Sequence, residues 1–181
     1  NTHLPVLILP IGKVDESLLE MLSEGLVKNI PKAQITVAGE VMDVPERSYS
    51  PSRRQYCSTD ILEKISQEAS KTSSVKVLGV TSVDLYVPRL NFVFGEAYCP
   101  GKAAIISLHR LRAEFYNEPA NISLLQDRML KEAVHELAHT LGLKHCKNPK
   151  CVMSFSNSIR DTDCKKASFC DRCLQNLESR Q

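Results

Sequence analysis

The sequence lacks the features that mark several classes of protein. Its 181 residues include 23 basic and 21 acidic side chains, so the formal net charge of +2 gives no general footprint for nucleic acid or for an anionic membrane. No apolar run approaches the roughly 18 residues of a membrane-spanning helix, and there is no internal repeat or low-complexity linker. Residues 1–10 lack the basic start and the small-residue cleavage site of a signal peptide. We therefore expect a cytoplasmic, monomeric protein with no nucleic-acid or membrane partner.

What the sequence does contain is enough apolar material for a folded core. The hydrophobic fraction of 43% is ordinary for a globular protein, and the length fits one domain or two closely packed lobes. Apolar periodicity predicts strands at residues 3–9, 33–40, 75–83, 91–98 and 103–109, and helices at residues 15–30, 60–69, 121–141 and 170–177. We expect residues 44–58 to be a loop. This order predicts an α+β fold, with helices packed on a mixed, twisted β-sheet whose last two strands form a hairpin.

Seven cysteines are the one unusual feature of the composition. Cys57 and Cys99 are isolated, and a lone cysteine is usually a small buried hydrophobe. The other five crowd into the last 36 residues: Cys146, Cys151, Cys164, Cys170 and Cys173. An odd number argues against a simple disulfide framework, and clustered thiols in a reducing compartment more often bind metal.

The predicted long helix carries two histidines with metal-ligand spacing. His135 and His139 are four residues apart, so they share one helix face and can bind a single Zn²⁺. Glu136 is adjacent, where it can take a proton from a zinc-activated water. Gly142 lets the backbone turn and bring His145 round as a third ligand, which leaves a fourth position for water. A His-Glu-x-x-His pattern alone can occur by chance on a surface helix, whereas five fixed positions make chance a poor explanation.

The cysteine pairs predict a second metal centre. Cys146 and Cys151 are separated by a loop from Cys170 and Cys173, a spacing typical of closed, tetrahedral Zn–S₄ sites. Such a site would stabilise a C-terminal segment that has little core of its own. A set of disulfides or free thiols is the alternative. Cys164 lies between the pairs at a spacing that fits no tight knuckle, and we interpret it as a free thiol.

The histidine motif resembles the extended zinc-binding consensus of the metzincin metallopeptidases. Met153 fits the Met-turn that follows in that clan, where it would form an apolar floor beneath the metal. Together with the four-cysteine pattern, the chain resembles an archaemetzincin (archaelysin), a family that combines a three-histidine site with a four-cysteine zinc. Residues 52–56 and 91–96 extend the similarity over most of the chain.

The resemblance implies two subdomains and a place for the substrate. Residues 1–142 would hold the sheet and the active-site helix, and residues 143–181 would form a small zinc-stapled subdomain with the third histidine, the Met-turn and the cysteine site. Residues 91–98 would be the antiparallel edge strand over the cleft. An exposed edge can pair with an extended peptide, although an ordinary edge strand remains the alternative. The predicted substrate platform consists of Asn91, Phe92, Val93, Phe94, Gly95 and Glu96.

The chain departs from some other metzincins at Phe155. Those proteins carry a tyrosine two residues after the Met-turn methionine, and Phe155 has no hydroxyl. The group that stabilises the oxyanion is therefore unidentified. Five side chains lie in segments that can reach the cleft, although packing or a solvated face is the simpler role for each: Tyr98, His109, Arg110, Arg112 and Tyr116.

The sequence thus predicts a zinc metallopeptidase with two Zn²⁺ ions, one catalytic and one structural, that acts on a peptide or protein. Glu136 would be the general base. A zinc-stabilised peptide-binding or regulatory module with latent activity is the alternative, and a hydrolase of a non-peptide amide is a weaker third. Aminopeptidase and endopeptidase action both remain open; Glu96 is a candidate for capturing a free amine in the former.

Overall fold

A five-stranded sheet organises the N-terminal part of the chain. The computed structural model describes residues 3–72 and 75–181. The strands of this sheet are β1 Leu4–Ile11, β2 Ala33–Val37, β5 Lys76–Thr81, β7 Gly95–Ala97 and β8 Ala103–Ser107. Four parallel strands and one antiparallel edge strand lie in the order β2-β1-β5-β8-β7. Strand β1 is almost entirely apolar because it has parallel neighbours on both sides and helices over both faces.

Helices cover both faces of this sheet. Helix α1 (Glu16–Asn29) begins after Asp15, whose carboxylate accepts from the backbone N–H of Ser17, and it packs beside helix α3 (Ile122–Thr140). Helix α2 (Ser58–Ser70) covers the opposite face, where Ile61 and Ile65 join a second apolar cluster. The layered arrangement confirms the predicted mixed sheet with packed helices.

The predicted loop at residues 44–58 is wrong in part. A 3₁₀ turn (Glu46–Ser48) leads into strands β3 (Tyr49–Ser50) and β4 (Gln55–Cys57), and β4 pairs in parallel with β6 (Leu85–Tyr86). In this three-stranded sheet, β3 and β4 pair as a short antiparallel hairpin, and β6 joins them from a distant part of the sequence. No local periodicity could indicate it, because strands of two or three residues are too short to show an alternating pattern.

The C-terminal segment wraps against α3 with little regular structure. It contains helix α4 (Ile159–Cys164), which the sequence did not predict, and helix α5 (Asp171–Glu178), which confirms the predicted terminal helix. Within the described ranges, no helix combines the length and the apolarity needed to cross a lipid bilayer.

Candidate metal centre and active-site cleft

Helix α3 ends in a turn that also orients a histidine. At its start, the Asn121 side chain accepts from the backbone N–H of Leu124. At its end, Gly142 adopts φ +96°, its N–H bonds to the carbonyl of His139, and the N–H of Leu143 bonds to Ala138. This pair of bonds is a Schellman motif, which favours glycine because only glycine tolerates positive φ without strain.

The three predicted histidines come together on this scaffold. Nδ1 of His135 lies 2.8 Å from the Val152 carbonyl, and Nδ1 of His139 lies 2.6 Å from the Leu143 carbonyl. A carbonyl can only accept, so both Nδ1 atoms carry the proton and both Nε2 lone pairs point inward. The Nε2 atoms of His135 and His139 are 3.1 Å apart, and a ring nitrogen of His145 lies within 4.8 Å of both.

This geometry fits a cation. Two unprotonated nitrogens facing each other at 3.1 Å repel unless a positive charge lies between them. Two nitrogens held tetrahedrally about 2.0–2.1 Å from Zn²⁺ would be about 3.3 Å apart, close to the observed spacing. Burial, followed by the nearby Lys165 ammonium, lowers the pKa of His135 well below its usual value, which keeps the ring neutral as a metal ligand must be.

Glu136 lies in the same cleft, packed against the edge strand. A Cβ on Gly95 would stand 3.0 Å from Cγ of Glu136 and 2.5 Å from the Ile105 carbonyl oxygen, so only glycine allows this approach. The Glu136 side chain is buried, and burial, followed by the Glu132 carboxylate, raises its pKa well above the usual value. A carboxyl group with a raised pKa is suited to proton transfer near neutral pH.

A buried ion pair behind Glu136 was not predicted from the sequence. Nζ of Lys165 lies 3.3 Å from Glu132 and donates to the Ser154 carbonyl, while the Thr162 hydroxyl donates to Glu132. Both Lys165 and Glu132 are almost fully buried. Glu132 stands one helical turn before Glu136 and lines the cleft, so helical spacing could have indicated it. Nothing in the sequence connects Lys165 to it.

The predicted substrate segment forms one wall of the cleft. The cleft has a volume of about 200 Å³, and the segment from Phe92 to Glu96 lines it together with the three histidines. Strand β7 pairs with β8 on one side only and is the sheet edge, as predicted, although the strand covers only Gly95–Ala97. Asn91 borders an adjoining depression instead, and its carbonyl accepts from Gln55.

The carboxylate of Glu96 is already engaged. It accepts from the Ser58 hydroxyl at 2.7 Å and from the Thr59 hydroxyl at 2.8 Å, at the start of α2. These bonds fix Glu96 at the cleft wall as an acceptor-only group. The predicted capture of a substrate amine stays a prediction.

Other side chains near the cleft have packing roles. The Phe155 ring is 5.1 Å from the His145 ring and lines the cleft. Arg110 forms a bidentate pair with Asp84 and stacks on Phe92. Among the described residues, the cleft lining does not include the five side chains considered for the oxyanion: Tyr98, His109, Arg110, Arg112 and Tyr116. The Tyr116 hydroxyl instead donates to the Arg110 carbonyl.

The four predicted cysteine ligands form a second cluster. The sulfur atoms of Cys146, Cys151, Cys170 and Cys173 all lie within 4.8 Å of one another. The distance between Sγ of Cys146 and Sγ of Cys170 is 3.9 Å, far longer than the roughly 2.05 Å of a disulfide and close to the roughly 3.8 Å between thiolates on one tetrahedral Zn²⁺. All seven cysteines are free, and Cys164 lies outside the cluster in an exposed position.

The cysteine cluster also fits a cation chemically. Backbone N–H groups of Met153 and Cys170 point at Sγ of Cys151 at 3.4 Å, an arrangement that stabilises a thiolate. Burial nevertheless raises the pKa values of the Cys151 and Cys173 thiols. Four thiols packed this closely can ionise together only if a cation compensates their charge.

The segment around Met153 is hydrogen-bonded to residues of both clusters. The Met153 side chain is fully buried, and its carbonyl accepts from the backbone N–H of Cys146, one residue after His145. The preceding residue, Val152, supplies the carbonyl that orients His135. The predicted Met-turn segment therefore contacts the chain on both sides of the histidine centre.

Comparison with known proteins decides the family. Residues 16–179 match the family model described as Peptidase family M54. The chain belongs to peptidase family M54. It is therefore a metallopeptidase, which confirms the resemblance to the archaemetzincins and the predicted enzyme class.

Relatives of this M54 peptidase cover nearly its whole length. The archaemetzincin of Methanocaldococcus jannaschii is 45% identical over 97% of this chain and 93% of the relative. The crystal structure of archaemetzincin from Methanopyrus kandleri matches with a TM-score of 0.85 at 35% identity, covering 98% of this chain and 95% of that one. A zinc-dependent peptidase from Methanocorpusculum labreanum matches with a TM-score of 0.87 at 31% identity, covering 95% and 99%. These structures confirm the fold class.

Proposed function

We propose that this M54 peptidase hydrolyses peptide bonds with Zn²⁺ held by His135, His139 and His145 and with Glu136 as general base. The observation that carries the proposal is the convergence of three neutral imidazoles beside a buried carboxyl group in one cleft. The similar protein from Methanocorpusculum labreanum is a zinc-dependent peptidase, which supports zinc as the metal.

The metal, Glu136 and Gly95 would have different roles in hydrolysis. When bound, Zn²⁺ supplies a Lewis acid that polarises the scissile carbonyl and acidifies water. Glu136 takes a proton from the attacking water and later delivers it to the leaving amine. The close approach of Gly95 confines the Glu136 side chain, so the carboxyl group meets the substrate from a fixed direction.

The free edge of β7 would hold the substrate. Its pairing with β8 leaves the backbone groups on the other side available at the cleft, where an extended peptide can add as a further strand. The walls formed by Phe92 and Phe155 would then contact side chains of the bound peptide. An oxyanion-stabilising residue of this chain is not assigned.

A second Zn²⁺ would bind the four cysteines and serve the fold. A closed set of four thiolates leaves no position for a substrate, so its contribution is structural. Such a centre would stabilise residues 143–181 as the subdomain proposed from the sequence. A thiolate centre also requires reduced cysteines, consistent with the cytoplasmic location that we predict.

The decisive experiment replaces Glu136 by alanine in the zinc-loaded protein. We expect zinc content to stay at two per chain while hydrolysis of a quenched fluorescent peptide library falls by about 10²–10⁴-fold, the usual worth of a general base. Glu24→Ala on the exposed face of α1 is the matched control and should leave the rate unchanged. Wild-type turnover in the Glu136 variant would remove the mechanism. Peptide binding without chelator-sensitive cleavage by the wild type would favour the latent binding module.

A further inference from the structure

A second, larger concavity lies on the other side of His145. Its volume is about 510 Å³, against about 200 Å³ for the active-site cleft. Four basic side chains line it, and we call it the basic groove: Lys144, Lys147, Arg172 and Arg180. No aspartate or glutamate is among the described residues that line it.

The charges of the basic groove are not compensated by neighbouring acids. All four side chains are exposed, and none forms an ion pair within the described parts of the chain. The buried cations of the same protein behave differently, since Arg128 and Lys165 pair with Asp163 and Glu132. Residues 143–181 carry eight Lys and Arg against four Asp and Glu, in a chain whose total charge is only +2. Unpaired cations that line a concave surface create a local positive potential that attracts anions.

The cysteine centre does not account for this charge. Cys146, Cys170 and Cys173 border the groove, and four thiolates around one Zn²⁺ would carry a formal charge of −2. Two of the four cations would balance that charge. The remaining two face a space large enough for several residues of an extended peptide.

The basic groove adjoins the cleft at His145, the one described residue that lines both. A peptide that leaves the cleft on this side enters the groove directly. Phenylalanine, tyrosine and tryptophan, on which the bases of a nucleic acid would stack, are absent from the described lining of the groove, and His145 is its one aromatic ring.

We propose that the basic groove binds an acidic segment of the peptide substrate, so that this peptidase prefers substrates with aspartate or glutamate on one side of the cleaved bond. The effect on cleavage rests on the proposed function, whereas binding of the acidic segment rests only on its charge complementarity with the groove. Since the contact is made equally before and during the reaction, it lowers KM and leaves kcat nearly unchanged.

The test compares two peptides that share the residues around the cleaved bond and differ in an appended tail of three glutamates or three glutamines. With zinc-loaded wild type we expect kcat/KM to be about tenfold higher for the acidic peptide, the combined worth of a few exposed charge pairs. Raising the ionic strength from about 0.05 M to about 0.5 M should abolish most of this ratio.

Two double variants locate the effect. Lys147→Glu with Arg172→Glu should reduce the ratio to about one, whereas Lys13→Glu with Lys28→Glu makes the same charge change at exposed sites outside the groove and should preserve it. Lys147→Gln with Arg172→Gln is the milder form to use if charge reversal lowers the zinc content. An equal rate for both peptides in the wild type, or a ratio insensitive to the groove variants, overturns the proposal.

A binding measurement separates this proposal from the catalytic one. Fluorescence anisotropy of a labelled glutamate-rich peptide on the Glu136→Ala protein reports the groove without turnover. If neither tailed peptide is cleaved but the labelled peptide binds and is released by the groove substitutions, the catalytic proposal fails and the groove stands. If a single-stranded oligonucleotide binds there and the acidic peptide does not, the assignment to peptide is overturned.

Discussion

The two candidate metal-binding clusters are neighbours in sequence but belong to different kinds of structure. His135 and His139 belong to a helix of 19 residues that packs on the main sheet. The four cysteines come from loops and from the start of the eight-residue helix α5. A helix with a packed apolar face keeps its shape without a metal, whereas a loop-rich segment depends on its cross-link. Zn²⁺ would therefore act in catalysis at the histidine cluster and stabilise the fold at the cysteine cluster.

The largest expected effect comes from removing the ligands of one cluster at a time, which tests whether the two clusters contribute differently to stability. Cys170→Ser with Cys173→Ser should cost more than about 5 kcal/mol in the free energy of unfolding, because structural zinc contributes about 10–16 kcal/mol in small zinc domains. His139→Gln, the matched loss at the other centre, should cost less than about 2 kcal/mol while abolishing hydrolysis. Denaturant unfolding with zinc in excess measures the two losses of stability. Zinc analysis should show about one zinc per chain in either variant. Equal destabilisation by the two variants would contradict the assignment of a catalytic role to the histidine cluster and a structural role to the cysteine cluster.

A second test concerns the ion pair between Lys165 and Glu132, which joins the C-terminal segment to helix α3. Lys165→Met leaves the buried Glu132 carboxylate without its cation and with only the Thr162 hydroxyl as partner, so we expect a loss of about 3–5 kcal/mol in the free energy of unfolding. Adding Glu132→Gln should recover about half of this loss or more, because the unpaired charge is then gone. Thermal unfolding of the single and double variants makes the measurement. A single variant as stable as wild type would show that the C-terminal segment docks without this pair.

The smallest expected change in stability is at Gly95. Gly95→Ala places a Cβ 2.5 Å from the Ile105 carbonyl oxygen and 3.0 Å from Cγ of Glu136, so we expect at least about a tenfold fall in kcat with a destabilisation of about 1–3 kcal/mol. Gly39→Ala is the matched control, since a Cβ there meets no atom within 4 Å. Steady-state kinetics and denaturant unfolding of both variants provide the comparison. An unchanged kcat in the Gly95 variant would mean that the position of Glu136 does not depend on the edge strand.

The predictable parts of this molecule are those whose signals are local. The span and the caps of α3 follow from Asn121, from the apolar spacing and from Gly142. The three histidines and the four paired cysteines each form a compact cluster of side chains, and their role as metal ligands stays a prediction. The pairing of β4 with β6 and the pairing of Lys165 with Glu132 were not predictable, because each joins residues about 30 positions apart, and β3 is too short to show a pattern. Such contacts depend on tertiary packing and leave no periodic pattern in the sequence.

The turn at the end of α3 has one more consequence. Leu143 donates its backbone N–H to the Ala138 carbonyl, which closes the helix, and its own carbonyl accepts from Nδ1 of His139, which fixes the tautomer of that ring. The same backbone atoms therefore end helix α3 and decide which nitrogen of His139 carries the proton. A side chain introduced at residue 142 would disturb both at once, so mutagenesis at this position cannot separate a defect in folding from a defect in chemistry.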